Sequence, residues 1–300
     1  MSASKWPKIK RNVSLLMCGN PNDNGGILTR CFARHQKYMG INEVNLIPGQ
    51  WPQAFPNGLE YEKYWFTSFD GIDIYHGIFL DISYYGNIVA HNLGIPNIVH
   101  IVGSDAKIER PVGSAGWYAL KAAAKSADLF LYSSKELRDI VGIEGKVVAM
   151  PIDEDNWKPP GKRYPNLDVL YYCPNNETYR MDWILKYAEE NPDELITVII
   201  GDFGQIPKAY PKNITWVPLV GYDELKYLYW EHKKLIRVTT HDGQKPPRMP
   251  CEALFAELEV YYATDGKDEP KRLRISDVPK RMLSKYTCPK YAKIYQELIE

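Results

Sequence analysis

Three hundred residues exceed one ordinary core and fit two domains of about 150 residues each. Hydrophobic residues make up 45% and charged residues 25%, and Lys+Arg and Asp+Glu both number 37, so the basic excess of a nucleic-acid binder is missing. No run approaches the roughly 18 apolar residues of a membrane span, and the apolar run near Val13–Met17 is too short for a secretory signal, so a cytoplasmic protein is expected.

In chain order, the largely apolar NVSLLMC (12–18) reads as a buried strand running into GNPNDNGG (19–26). A helix follows to about Tyr38, closed by Gly40. EVNLI (43–47), IDIYH (72–76), NIVHIV (97–102), LFLYS (129–133) and KVVAM (146–150) read as further strands. Helices are expected near 82–92, 115–125 and 134–141, with Gly94 as a C-cap. PIDEDNWKPPGKRYPN (151–166) breaks the pattern with proline, glycine and charge, as a linker does.

A second alternating set begins with strand DVLYYC (168–173) and a helix over 179–190, followed by strands LITVIIG (195–201) and NITWV (213–217). Then come a helix over 223–231, strand LIRVT (235–239), a helix over 251–257 and strand EVYYA (259–263). The tail from Ser276 reads as helical and basic. The expected architecture is α/β: two Rossmann-like doubly wound domains facing a central cleft, over 1–158 and 166–275. A helical tail over 276–300 follows, and a return to the first domain is the expectation for it.

Five scattered cysteines (Cys18, Cys31, Cys173, Cys251, Cys288) without close metal-ligand spacing read as reduced thiols, and no metal centre is expected. Gly25 and Gly26, between strand and helix, would let backbone approach an anion, or form a plain turn. His100 and Asp105 sit at the end of the fourth strand, where the imidazole could meet a sugar hydroxyl or be a core histidine. Arg237 comes from an apolar strand, followed by Asp242 and Gly243 in a polar loop and Glu252 in the first turn of a helix. That carboxylate is either a helix-dipole partner or a grip for a ribose diol. The acidic run Asp153–Asp155 reads as a solvated turn rather than a metal ligand set. The segment over 48–70, with Trp51, Phe55, Tyr61, Tyr64 and Trp65, reads as a long loop that either lines an acceptor site or packs on itself.

In this order the pieces resemble glycosyltransferase family 4 of the GT-B fold. The likeness rests on the Gly25–Gly26 pair, the His100–Asp105 stretch, ADLFLYSS (127–134), KVVAMPIDEDNWKP (146–159), NITWVPLVGYDELKYLY (213–229) and RVTTHDG…EAL (237–254). The resemblance implies a retaining, metal-independent transferase with no cofactor, whose co-substrate is a nucleotide-sugar, a UDP-sugar being the expected donor. It places Gly25 and Gly26 at the diphosphate and the transferred sugar, His100 near the sugar, Arg180 on the diphosphate and Glu252 on the ribose, with His100 and Asp105 as the catalytic candidates. Gly221, Arg237, Asp242, Gly243 and Gln244 fall in the matching donor-site stretches, with Gln244 where the family commonly carries a second glutamate. The acceptor is an unspecified glycan, lipid or protein, and weak peripheral membrane contact through the basic tail is the further partner considered. A non-catalytic nucleotide-sugar binder of the same fold is the alternative.

Overall fold

The computed structural model describes residues 11–19, 24–48, 57–103, 113–240, 246–264 and 269–300. The chain forms two compact units, Met1–Pro151 with Lys280–Glu300, and Ile152–Pro279. Residues 152–158, counted with the first domain on sequence grounds, therefore fold with the second unit.

In the first unit the order is β1 (Val13–Gly19), α1 (Asn24–Met39), β2 (Ile41–Pro48), α2 (Gly58–Thr67), β3 (Ile74–Ile78), α3 (Leu80–Asn92), β4 (Asn97–Ile101), α4 (Ala115–Ser126), β5 (Leu129–Tyr132), α5 (Lys135–Val141) and β6 (Lys146–Val147). The strands pair in parallel in the order β2-β1-β3-β4-β5-β6. Period-two alternation sends Leu15 and Met17 of β1 into one core with Leu28 and Phe32 of α1. Leu16 and Cys18 go to the opposite core with Trp65, Tyr75 and Val89. Gly40 and Gly94 adopt positive φ (68° and 69°) just after α1 and α3, the conformation that ends a helix without a Cβ clash.

Two expectations fail here. The stretch 48–70 is not a continuous loop, because α2 forms within it, its first turn capped where the Asn57 side chain accepts from the Glu60 amide at 3.0 Å. Trp65 is wholly buried beside Tyr75, with ring centroids 6.4 Å apart, and so lines no acceptor surface, while Trp51 and Phe55 lie outside the described residues. KVVAM pairs with β5 only through Lys146 and Val147, and Val148–Met150 leave the sheet while remaining buried.

The second unit comprises α6 (Glu154–Trp157), β7 (Leu167–Asn175), α7 (Met181–Glu190), β8 (Ile196–Phe203), β9 (Ile214–Pro218), α8 (Tyr222–Glu231), β10 (His232–Val238), α9 (Arg248–Phe255), β11 (Glu259–Ala263) and β12 (Lys271–Leu273). Its sheet runs β12-β11-β10-β7-β8-β9, parallel except for the short charged edge strand β12, which the sequence reading omitted. The expected linker is anchored at two points. Trp157 is fully buried between Tyr222 and Tyr229, and the Arg163 guanidinium donates to the carbonyls of Tyr229, Trp230, His232 and Glu257. That satisfies carbonyls at the end of α8, which a helix terminus otherwise leaves to water. Asp153 and Glu154 are buried as α6 turns its Trp157 face inward, so the solvated acidic turn is corrected for two of its three residues.

After 3₁₀ turns at Ile275–Asp277 and Lys280–Met282, α10 (Ser284–Leu298) rejoins the first unit. It inserts Cys288, Tyr291, Ala292 and Tyr295 into the core of β1, β3 and α1. Gln296 exchanges two hydrogen bonds with the backbone of Arg11, at 2.7 and 3.2 Å, which closes the two ends of that unit together. Among the described residues no helix is long and apolar enough to cross a membrane.

Candidate functional site

Open parallel sheets bind ligands outside the carboxyl ends of their strands, where the strand order reverses and two neighbouring loops diverge. In the second unit that reversal falls between β7 and β10. The end of β7 is shaped by Asn175, whose side-chain oxygen accepts from the amides of Glu177 and Thr178, both at 3.0 Å, turning the chain into α7. The Tyr171 hydroxyl donates to the Tyr179 carbonyl at 2.7 Å and lies 3.3 Å from the Val238 carbonyl of β10. The Thr240 amide donates to Thr178 O at 2.9 Å, tying the two diverging loops together. Burial pushes the Tyr171 phenol well above its ordinary range, so it remains a donor.

Onto this frame β10 delivers Arg237, 5% exposed. Its guanidinium lies over the Tyr179 ring at 4.8 Å and the Tyr172 ring at 6.0 Å, and Nη1 approaches Met249 Sδ at 3.9 Å. The planar, weakly hydrated guanidinium tolerates such aromatic enclosure where an ammonium would not. At the start of α9, next to Met249, Arg248 Nε meets Oε1 of Glu252, one turn on, at 2.6 Å, both side chains largely buried. Burial raises the Glu252 carboxyl and the adjacent Arg248 charge opposes that rise. Tyr229, wholly buried, has its phenol raised well above normal first by burial and then by Glu252.

In the first unit the order reverses between β1 and β3. Gly25 and Gly26 lie inside the first turn of α1 rather than ahead of it. Phe79, directly after β3, has a φ of 64°, and Arg180, at the start of α7, a φ of 45°. Among the described residues, two of the three non-glycine positions with positive φ thus stand at the two reversal points, the kind of backbone strain that collects at functional loops.

No protein-family model matches the chain, and no curated protein matches it in sequence. Solved structures do. Anabaena Alr3699/HepE in complex with UDP and glucose superposes with a TM-score of 0.57 at 13% identity, over 96% of each chain. Sucrose-phosphate synthase from Thermosynechococcus elongatus gives 0.55 at 10%, over 96% of this chain and 95% of that one. Methanocaldococcus jannaschii UDP-GlcNAc 2-epimerase in complex with UDP-GlcNAc and UDP gives 0.54 at 11%, over 94% and 99%. The fold is GT-B.

Within the GT-B frame, the expected residues land unevenly. Arg237 and Glu252 come together around Met249, Arg248 and Tyr229 at the carboxyl side of β10. Arg180 stands at the end of β7, but its guanidinium folds onto Asp182, with Nη2 2.7 Å from Oδ2. Gly221 caps α8, its amide donating to Glu224 at 3.0 Å. Asp105, Asp242, Gly243 and Gln244 lie outside the described residues.

His100 is fully enclosed, because β4 continues to Ile101 and α10 covers it. Its Nδ1 is 3.1 Å from His76 Nε2, its ring faces Tyr291 at 6.0 Å, and desolvation pushes its pKa down to about 3. The expected strand-end position open to a sugar is therefore replaced by a neutral core imidazole.

Sequence reasoning passed over Tyr172, Tyr179 and Arg248. The Arg248–Glu252 spacing of four on a helix was the available signal. A cavity of about 450 Å³ in the second unit is lined by Arg163, Asp168, Glu194, Lys233, Lys234 and Glu259 among others. It lies at the amino ends of the strands and is occupied by the Lys233–Asp168 and Lys234–Glu194 ion pairs, at 2.7 and 2.6 Å, so it is not the candidate site.

Proposed function

We propose that this GT-B chain is a retaining, metal-independent glycosyltransferase of the family 4 type, taking a UDP-sugar as donor. The observation that carries the reading is the Arg237, Arg248 and Glu252 cluster on the Rossmann-like sheet, at the carboxyl side of β10 beside the strand-order reversal. UDP in Alr3699/HepE and in the epimerase supports the choice of base.

As the glycosidic bond breaks, negative charge grows on the leaving diphosphate and positive charge on the anomeric carbon. Arg237, already seated against Tyr179, and Arg180, on release from Asp182, supply fixed positive charge to that leaving group. Glu252, held by Arg248, keeps an oxygen for the ribose diol. The departing phosphate oxygen then takes the acceptor proton on the face it has just left, which preserves the anomeric configuration. His100 carries no step in this mechanism.

The test is a binding screen of UDP-, GDP- and ADP-sugars by thermal shift, followed by turnover assays. A UDP-sugar should raise the melting temperature most, since a ligand at 100 times its Kd adds about 2.7 kcal/mol. Sugar transfer or slow donor hydrolysis should proceed without added magnesium or manganese. Failure of every UDP-sugar to bind, or turnover wholly dependent on added divalent metal, removes the proposal. The epimerase among the structural neighbours favours a second reading, 2-epimerisation of a UDP-sugar. Interconversion of UDP-GlcNAc with its 2-epimer in the absence of acceptor would select that one.

A further inference from the structure

We propose that Cys31, His35 and Cys288 form a zinc-binding site that ties α1 to the returning helix α10. Cys31 and His35 are four residues apart on α1 and so project from one helix face. Cys288 arrives from α10, 257 positions later in the chain, and its Sγ stands 3.7 Å from that of Cys31. One ligand atom from each of the three residues lies within 4.8 Å of the other two. Tetrahedral zinc, with Zn–S near 2.3 Å and Zn–N near 2.0–2.1 Å, spaces two sulfurs by about 3.8 Å and a sulfur and a nitrogen by about 3.6 Å. The observed thiol pair already has that spacing, and a small adjustment of the imidazole completes the triangle.

Charge and surroundings select the ion. Two thiolates, a neutral imidazole and Zn²⁺ sum to zero, so the assembled site can remain buried, whereas Cu⁺ on the same ligands would leave a net negative charge in the core. Calcium and magnesium require oxygen ligands that the group does not offer. Cys31 and Cys288 are buried and Phe32 packs against Tyr291 with centroids 4.9 Å apart, forming an apolar wall. His35 is half-buried, so the ion enters on its side and a water there completes the coordination. Binding releases the two thiol protons and leaves all oxidation states unchanged. The site lies within the first unit and is independent of the proposed transferase chemistry.

Reduced, metal-free protein should be loaded with zinc, gel-filtered and measured for metal, for released protons and for Co²⁺ absorption after substitution. The expected result is about one zinc per chain, about two protons per zinc, and thiolate-to-cobalt charge-transfer bands in the near ultraviolet. Cys288→Ser and His35→Gln should each weaken zinc binding by more than about 100-fold. The cobalt spectrum of the unsubstituted protein needs no variant, so misfolding of Cys288→Ser cannot mask the answer. Retention of no zinc, a cobalt spectrum without thiolate bands, or unchanged zinc affinity in both variants overturns the proposal. So does formation of a Cys31–Cys288 disulfide, seen as a mass loss of two hydrogens on mild oxidation, in protein that takes up no zinc when reduced.

Discussion

Glu252 carries two demands at one position, since its carboxylate balances a buried Arg248 and in the proposed function accepts from a ribose. Glu252→Gln keeps the shape and removes the charge. A hydrogen bond to a charged group contributes about 1.5–3 kcal/mol, so UDP affinity should fall about ten- to a hundred-fold. Calorimetry against UDP reads this directly, and far-ultraviolet circular dichroism confirms that the fold is retained. Unchanged UDP affinity with lowered stability would leave Glu252 as the buried half of an ion pair and nothing more. The sequence brought Arg237 and Glu252 to the same neighbourhood because an apolar strand and a helix start are local patterns. It missed Arg248, Tyr172 and Tyr179 because their roles come from how two loops converge between β7 and β10, which no local period encodes. His100 misled for the opposite reason. A histidine near a strand end looks available until a helix from the far end of the chain, here α10, is laid over it.

Among the elements, Gly86 in α3 shows packing and propensity in conflict. Alanine would favour the helix by about 1 kcal/mol, yet a Cβ there would overlap the Tyr75 hydroxyl and sit 2.7 Å from Trp65 Cζ3. Both rings are fully buried, and overpacking a rigid core costs about 1–3 kcal/mol. The clash outweighs the propensity, so Gly86→Ala should lower the urea midpoint without changing the denaturant slope. A raised midpoint would show that Trp65 can shift. The same pair of rings explains why α2 was not legible. Its ten residues sit among prolines and aromatics and are too few to hold as an isolated helix, so burial of Trp65 settles the matter after the chain has folded. The long alternating runs were legible, because strands buried on both faces read as apolar blocks between amphipathic helices. The edge strand β12, three residues long and charged, lacks any such pattern.

At the scale of the molecule, two doubly wound α/β domains were readable from alternation and the GT-B arrangement only from the family resemblance, whereas the acid response rests on a pair that only the tertiary structure assembles. His76 and His100 are wholly buried and 3.1 Å apart. Desolvation lowers both pKa values, and the His100 charge lowers that of His76 further. The unfolded chain takes up protons at both near pH 6.5 and the folded chain does not. The stability contributed by keeping them neutral is therefore fully present above pH 6.5 and is lost as pH falls below it, for His100 down to about 3. For His100 the loss amounts to about 1.4 kcal/mol per pH unit in that window, and His76 adds a loss of the same sign. Unfolding measured from pH 7 to pH 4 should show a shallower acid decline in His100→Gln than in the unsubstituted protein. Identical slopes would mean that the histidines are protonated in the native state.

The route of the chain through its two units has a consequence for synthesis. A ribosome finishes every residue of the second unit before it makes Tyr291 and Tyr295, which the first unit needs to close its core. The first unit therefore starts to emerge before the second and closes after it, holding an unfinished apolar seam against α1 until α10 has been made. A chain broken off before Ser284 would therefore carry a whole second unit beside a first unit left unsealed.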